Sequence, residues 1–351
     1  MTDKMKAAAI IGEREIEILE VKKPVPKAGE VLINIKACAL CTFEQRTYLG
    51  IVDMPLPFVG GHEISGVIEA IGEGVDKEEF PIGQRVAVRA FDSCGRCYYC
   101  RRGRGNLCIN MKNANKFDEG EKINGIGGLA QYMTIDQSCI YKLPEDLPFE
   151  YGAIAEPIAC VANSIKQGQI ELGDDVVIIG AGIMGLLHVM LSKLKGARVI
   201  VSEPDKTRRV KAKEAGADIV FDPMEEDFVD KVKFITEGRG ADVVFNTTAI
   251  AQVAEQVIKG IRNSGRVVMY SSIHPDKPIS VSPSWIHNSQ VTITGAVNPT
   301  VESFETSVTL LSKGLINPKN LISGSFKLDN AGDAFKEAIK PDTYRIIVTN
   351  Y

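Results

Sequence analysis

The chain has 351 residues, more than the roughly 100–200 of one ordinary domain, so two domains are expected. With 45 acidic and 41 basic residues the formal net charge is −4, which gives no electrostatic reason to expect nucleic acid or an anionic membrane as partner. No run of about 18 apolar residues exists to span a bilayer, and the short apolar run ending at Ile11 reads as a first strand rather than a signal segment, so a cytoplasmic protein is expected.

In such a compartment the eight cysteines are expected as thiols or metal ligands rather than disulfides. Residues 1–150 read mostly as short strands with turns, among them 31–37 and the Gly-bounded 66–72. From about Tyr151 the pattern changes. The bare apolar run Val176–Ile179 suits a parallel strand buried on both faces. A helix from Gly185 to about Leu194 follows, then strand 198–201, a helix through Ala212, strand 242–245, a helix through Ile261 and strand 266–269. This alternation is that of a doubly wound parallel α/β sheet. A last strand is read at 291–295. After about Val297 the alternation stops, and the tail shows helices near 304–313 and 331–339.

Three constellations carry chemistry. Gly180, Gly182 and Gly185, with Ala181, Ile183 and Met184 between them, form a GxGxxG turn that follows a strand and opens a helix. The first glycine permits the tight turn, the second lets backbone approach a pyrophosphate and the third lets helix and strand pack closely. Glu203, at the end of the next strand, would accept hydrogen bonds from ribose hydroxyls and repel a 2′-phosphate, so NAD is favoured; Arg208 and Arg209 lie near enough to soften that preference.

Cys94, Cys97, Cys100 and Cys108 form a second group, whose spacing suits one tetrahedral zinc with no open position, a structural site. Spacing alone leaves open an iron–sulfur cluster or a nucleic-acid-binding zinc module, and the acidic chain argues against the latter. The third group is Cys41, Gly61-His62-Glu63 and Glu156-Pro157, residue types that can hold a catalytic zinc with an open site. Taken singly, Cys41 is more often a small core residue and His62 a satisfied histidine, and Glu156 reads as an ordinary surface acid.

In their order along the chain, with 127–132 reading Gly-Gly-Leu-Ala-Gln-Tyr, these pieces resemble the zinc-dependent medium-chain dehydrogenase/reductase family over essentially the whole sequence. The segment Ile154-Ala155-Glu156-Pro157 is most similar to the sorbitol and butanediol (polyol) dehydrogenase branch. The resemblance implies a mostly β, GroES-like catalytic domain with a partly open barrel (1–156), a Rossmann domain (157–296), and a C-terminal return to the catalytic domain (297–351). It also implies two zinc ions per chain, NAD, and hydride transfer between a secondary alcohol or polyol and NAD. Cys41, His62 and Glu156 would ligate the catalytic zinc, with Glu63 able to replace Glu156 or to bind through water.

Here the chain departs from the family pattern. Cys41-Thr42-Phe43-Glu44 stands where Cys-Gly-Ser/Thr-Asp is usual, so Phe43 occupies the place of the proton-relay hydroxyl. Glu44 would support the zinc histidine, and Thr42, one position off, is one of several exits for the proton together with Glu63, Tyr48 and the substrate's own hydroxyls. Phe43, Tyr48, Arg89, Phe91 and Trp285 are candidate pocket residues. Rival readings are an L-threonine 3-dehydrogenase, against which the histidine that branch has near Phe91 is absent here, and a non-catalytic binding member of the fold. A homo-tetramer or homo-dimer is expected, joined through the 291–295 edge strand.

Overall fold

The computed structural model describes residues 4–113, 117, 122–273 and 275–350. The chain divides into two compact units, Met1–Ala159 with Thr300–Tyr351, and Cys160–Pro299. It passes from the first to the second within one helix, Ala155–Gly168.

In the first unit a seven-stranded mixed sheet runs Ile322–Lys327, Arg345–Thr349, Glu30–Ala39, Glu63–Ile71, Arg85–Arg89, Ile140–Lys142. Glu30–Ala39 serves two partners on one edge: its first half pairs with Tyr132–Asp136 and its last three residues with Ile347–Thr349. The side-chain period of two sorts each strand. Ile33, Ile35, Ile64, Ile68, Val86 and Val88 are at most 1% exposed and fill the core. Glu63 and Arg89, opposite one another across two strands, point to the other face. Burying side chains of this size stabilises by about 1.5–3 kcal/mol each, so the position of Glu63 is dictated by the apolar residues on either side of it.

The structure corrects two expectations here. The tail holds its two helices, Val301–Ser312 and Ala331–Ala338, but also the strands Ile322–Lys327 and Arg345–Thr349, which complete this sheet. The first of these is a short Gly-containing edge strand of alternating half-buried residues, and the second follows a turn, so neither produces the strand–helix rhythm. The N-terminal segment also contains helices, Thr42–Tyr48 and Phe149–Ala153, that a reading of short strands passed over.

The second unit is a six-stranded parallel sheet in the order Ile219–Phe221, Arg198–Ser202, Asp175–Ile179, Ala241–Asn246, Ile261–Met269, Thr292–Gly295. Val176, Val177, Ile178 and Ile179 are at most 4% exposed, as a strand covered on both faces requires. Strand order reverses at Asp175–Ile179, which places the turn after Ile179 at the topological switch point where such sheets bind ligands. Among the described residues no helix is long and apolar enough to cross a membrane.

Candidate metal and dinucleotide sites

Cys41 ends the strand region that begins at Glu30 and caps the helix Thr42–Tyr48. Helical spacing then turns Glu44 inward, fully buried. The incoming loop brings Gly60 and Gly61 against it. A Cβ on Gly60 would stand 2.7 Å from Glu44 Cγ; on Gly61, at φ +91°, it would stand 2.7 Å from both Cys38 Sγ and the Leu129 nitrogen. Only glycine fits either place. The close approach lets Glu44 Oε1 accept from the Gly61 N–H (2.9 Å) and from His62 Nδ1 (2.8 Å). With Nδ1 so held, Nε2 is the ring atom left to face Cys41 and Glu63. Ligand atoms of Cys41, His62 and Glu63 all lie within 4.8 Å of one another.

The electrostatics of this group are set by burial and by two ion pairs. Arg345, from the last strand, grips Glu63 with both ends of its fork: Nε to Oε2 at 2.9 Å and Nη2 to Oε1 at 2.7 Å. Its Nη2 also lies 3.7 Å from Cys41 Sγ. Burial raises the Cys41 thiol, and Glu63 raises it further, against the lowering by Arg345 and His62. Burial alone would lower His62, but Glu44 and Cys41 outweigh it and hold the imidazole well above its ordinary range. For Glu44, burial works upward and the pairing with His62 wins, lowering the carboxyl. In the metal-free chain, then, both shifts favour the protonated forms, with which a cation must compete.

The donor set (one sulfur, one imidazole nitrogen, one carboxylate oxygen) suits zinc with an open position. Glu156, 7% exposed at the start of its helix, stands outside the three-residue group and adds its charge to the field at Arg345.

Cys94, Cys97, Cys100 and Cys108 form the second metal-ligand cluster. Two sharp turns at Gly95 (φ +68°) and Gly103 (φ +71°) bring the thiols together. Cys97 Sγ lies 3.4 Å from Cys100 Sγ and 3.9 Å from Cys108 Sγ. Backbone N–H groups of Cys94 and Asn110 both reach Cys108 Sγ at 3.3 Å. The Arg96 N–H, then the Asn110 side chain, draw Cys94 down to about 6. Desolvation and the neighbouring thiols push Cys100 up to about 11. Four convergent sulfurs leave no position for substrate, so this cluster can organise a loop and nothing more.

In the second unit each fingerprint glycine has a distinct physical reason. Gly180 lies at φ +91°. A Cβ on Gly185 would come within 2.0 Å of the Gly180 carbonyl oxygen, so strand and helix touch there. A Cβ on Gly182 would meet nothing within 4 Å; the bare backbone there faces space open to a ligand. Gly182 caps the helix Ile183–Leu194, whose free N–H groups suit a phosphate. Glu203 follows strand Arg198–Ser202 and accepts from the Ala181 and Asp205 N–H groups at 2.7 and 2.9 Å.

Of the five candidate pocket residues, two flank the metal group: the Phe91 and Phe43 rings lie 5.5 and 6.2 Å from the His62 ring. Tyr48 instead packs in the core on Phe335 at 5.0 Å, and Trp285 packs against the core of the second unit. Arg89 is buried, donating to the Phe91 carbonyl and to Cys139 Sγ. Thr42 is exposed at the helix start. Sequence reasoning missed Arg345; the available signal was one arginine heading the otherwise apolar run 345–348 in the tail.

Comparison with known proteins agrees with this geometry. Residues 27–145 match the family described as alcohol dehydrogenase GroES-like domain, and residues 184–313 the family described as zinc-binding dehydrogenase. The chain is 31% identical over 333 residues to the 2-dehydro-3-deoxy-L-galactonate 5-dehydrogenase of Pseudoalteromonas atlantica, covering 94% of each. It is 34% identical over 327 residues to the L-threonine 3-dehydrogenase of Pyrococcus horikoshii, covering 91% of each. Among solved structures, the 2R,3R-butanediol dehydrogenase of Bacillus subtilis superposes with a TM-score of 0.85 at 28% identity, over 99% of this chain and 100% of that one. A GroES-like unit carrying two metal-ligand clusters, a parallel Rossmann unit and relatives of this similarity lead to one assignment: the chain belongs to the zinc-dependent medium-chain alcohol dehydrogenase superfamily, whose activity is NAD(P)-linked oxidoreduction at a CH–OH carbon.

Proposed function

We propose that the protein interconverts a secondary alcohol or polyol and its ketone, with NAD as hydride carrier. A catalytic zinc would be held by Cys41, His62 and Glu63, with Glu156 available as the exchanging carboxylate, and a structural zinc by the four-cysteine lobe. In this reading residues 1–156 and 297–351 carry both metals, and residues 157–296 the dinucleotide. The observation that carries it is the open three-donor group, with His62 fixed through Nδ1 by Glu44 at 2.8 Å.

When bound, the zinc supplies a Lewis acid for the alcohol oxygen and NAD takes up the hydride. The chain's own residues do the rest. Glu44 fixes the imidazole tautomer, so that His62 Nε2 is a donor to metal and not a proton carrier. Arg345 offsets the Glu63 charge. Phe43 and Phe91 set apolar ring surface beside His62. Since residue 43 offers no hydroxyl, the alcohol proton leaves through the substrate's neighbouring hydroxyls or through solvent, a route that a polyol provides. A homo-oligomer joined along the edge strand Thr292–Gly295 belongs to the same reading.

Similarity to a threonine dehydrogenase supports a second reading, oxidation of a hydroxy amino acid. Phe91 against His62 offers no polar partner to an amino acid and favours the first. One experiment separates them: metal analysis, then a screen of polyols, secondary alcohols and hydroxy amino acids with NAD and NADP. About two zincs per chain are expected. His62→Ala should hold about one and lose on the order of 10³-fold or more in activity, the several kcal/mol that a metal supplies. Wild-type protein with about one zinc, or turnover confined to hydroxy amino acids, would refute the proposal.

A further inference from the structure

Arg209 and Asp222 lie directly beside the ribose-facing acid. The helix Lys206–Glu214 turns Arg209 back onto the turn that precedes it. There Arg209 Nη1 donates to three oxygens: the Glu203 carbonyl at 2.8 Å, the Pro204 carbonyl at 2.7 Å and Asp222 Oδ2 at 2.7 Å. Asp222 is held in turn. It follows strand Ile219–Phe221, and its Oδ1 accepts from the Met224 N–H at 2.9 Å. The two strand ends are tied, since the Glu203 N–H donates to the Phe221 carbonyl at 3.1 Å. Both partners of the ion pair are largely shielded, with side chains 18% and 14% exposed.

Two consequences follow for a dinucleotide. The turn Glu203-Pro204-Asp205 is stapled from behind, so the Glu203 carboxylate is presented without freedom to retreat. One of the two neighbouring guanidiniums that could meet a 2′-phosphate by a bidentate fork, that of Arg209, is drawn toward Asp222 and two carbonyls. We propose that Asp222 is a specificity-positioning residue: by holding Arg209 on the Glu203 turn, it keeps that guanidinium from a ribose 2′-phosphate and so sets the preference for a cofactor with a free 2′-hydroxyl. This inference rests on the dinucleotide reading above and names a residue that does not itself touch the cofactor.

The test is calorimetric binding of two probes, adenosine 5′-monophosphate and adenosine 2′,5′-bisphosphate, to wild type, Asp222→Asn, Arg209→Ala and the double variant. The asparagine keeps an acceptor for Met224 and removes the charge and the acceptor facing Arg209. Wild type should prefer the monophosphate. Asp222→Asn should narrow that preference about tenfold, by tightening the bisphosphate as the guanidinium turns to it. Arg209→Ala and the double variant should keep the wild-type preference or exceed it, because no guanidinium is released.

An unchanged ratio in Asp222→Asn, with its melting temperature within a few degrees of wild type, overturns the inference and leaves the NAD assignment standing. A relaxed ratio in the double variant as well overturns it differently, by showing that Asp222 acts through its own charge. Wild type that binds both probes alike overturns the inference together with the NAD preference. Wild type that binds neither removes the dinucleotide reading itself. Should Asp222→Asn not fold, Asp222→Ser decides: it also removes the charge that faces Arg209, so the ratio should narrow as for the asparagine, and a folded serine variant with the wild-type ratio would overturn the inference.

Discussion

The two metal-ligand groups of the first unit are built in opposite ways. The four-cysteine lobe is local: its ligands fall between Cys94 and Cys108, its bends are set by two glycines, and its thiolates are prepared by N–H groups of the same loop. The Cys41–His62–Glu63 group is assembled by the fold. Cys41 stands at the start of a helix just after one strand, Glu63 opens another strand, and the cation that offsets Glu63 lies 282 residues further on. The first is a feature of a sequence window, whereas the second exists only when a sheet has closed around it. The difference teaches that the three-donor group is the one whose geometry depends on long-range structure, and the four-cysteine group stands nearly alone.

The largest test of this contrast is Arg345→Met. Removing one partner of a buried ion pair leaves an uncompensated charge and costs about 3–5 kcal/mol. Thermal unfolding should show that loss in protein stripped of metal, and a smaller one with zinc bound, because the cation takes over part of the compensation. Adding Glu63→Gln should restore part of the stability. A variant that melts like wild type would mean that the long-range pair does not hold the group together.

A smaller effect is expected from Glu44→Gln. The amide oxygen can still accept from His62, but the charge is gone, and loss of such a supporting carboxylate typically lowers metal affinity about 10–100-fold. Competition with a chelator measures it. The lobe should keep its metal, so that about one zinc per chain dissociates early and the other late; joint loss of both would show the groups to be coupled.

The gentlest probe is pH. Cys41 and His62 are both shifted upward, so protons compete with metal for them at comparatively high pH. In the lobe Cys94 is drawn down to about 6 and Cys97 is lowered as well, while Cys100 is pushed up to about 11, so two of its thiolates persist to lower pH and a third does not. With two lowered thiolates in the lobe and both Cys41 and His62 raised, the Cys41 group should release zinc first on acidification, and zinc binding to it should release protons to the buffer. Metal release followed with a colorimetric chelator during an acid titration should show two steps, the first carrying away activity. A single step, or loss from the lobe first, would contradict the ordering.

What could be read from the sequence follows the same division. The lobe and the glycine turn were legible because their ligands and turns are adjacent in the chain, where spacing alone encodes geometry. Glu203 was legible because strand periodicity places it at a strand end. Glu63, named as an alternate ligand, has a carboxylate oxygen within 4.8 Å of the Cys41 and His62 ligand atoms, and Glu156, first named for that place, is buried at the start of its helix; the choice between the two belongs to the proposal. Arg345 and the tail strands escaped because nothing local marks them, and the pairing of Ile347 with Ala39 is a long-range choice. Tyr48 and Trp285 were offered as pocket residues because size and polarity do not distinguish a wall from a core; packing assigns both to cores.

The 282-residue separation of Glu63 from Arg345 also has a consequence in time. A ribosome adds about 5–20 residues per second, so the Glu63 carboxylate exists for on the order of tens of seconds before its arginine is made. The cysteine lobe is complete long before that, since Cys108 follows Glu63 far more closely than Arg345 does. Newly made chains thus pass through an interval in which one metal site can already load and the other still lacks the cation that allows its carboxylate to be buried. Whatever supplies zinc to this protein meets the closed site first, and the site proposed for chemistry becomes whole only as the last strand is laid against Glu30–Ala39.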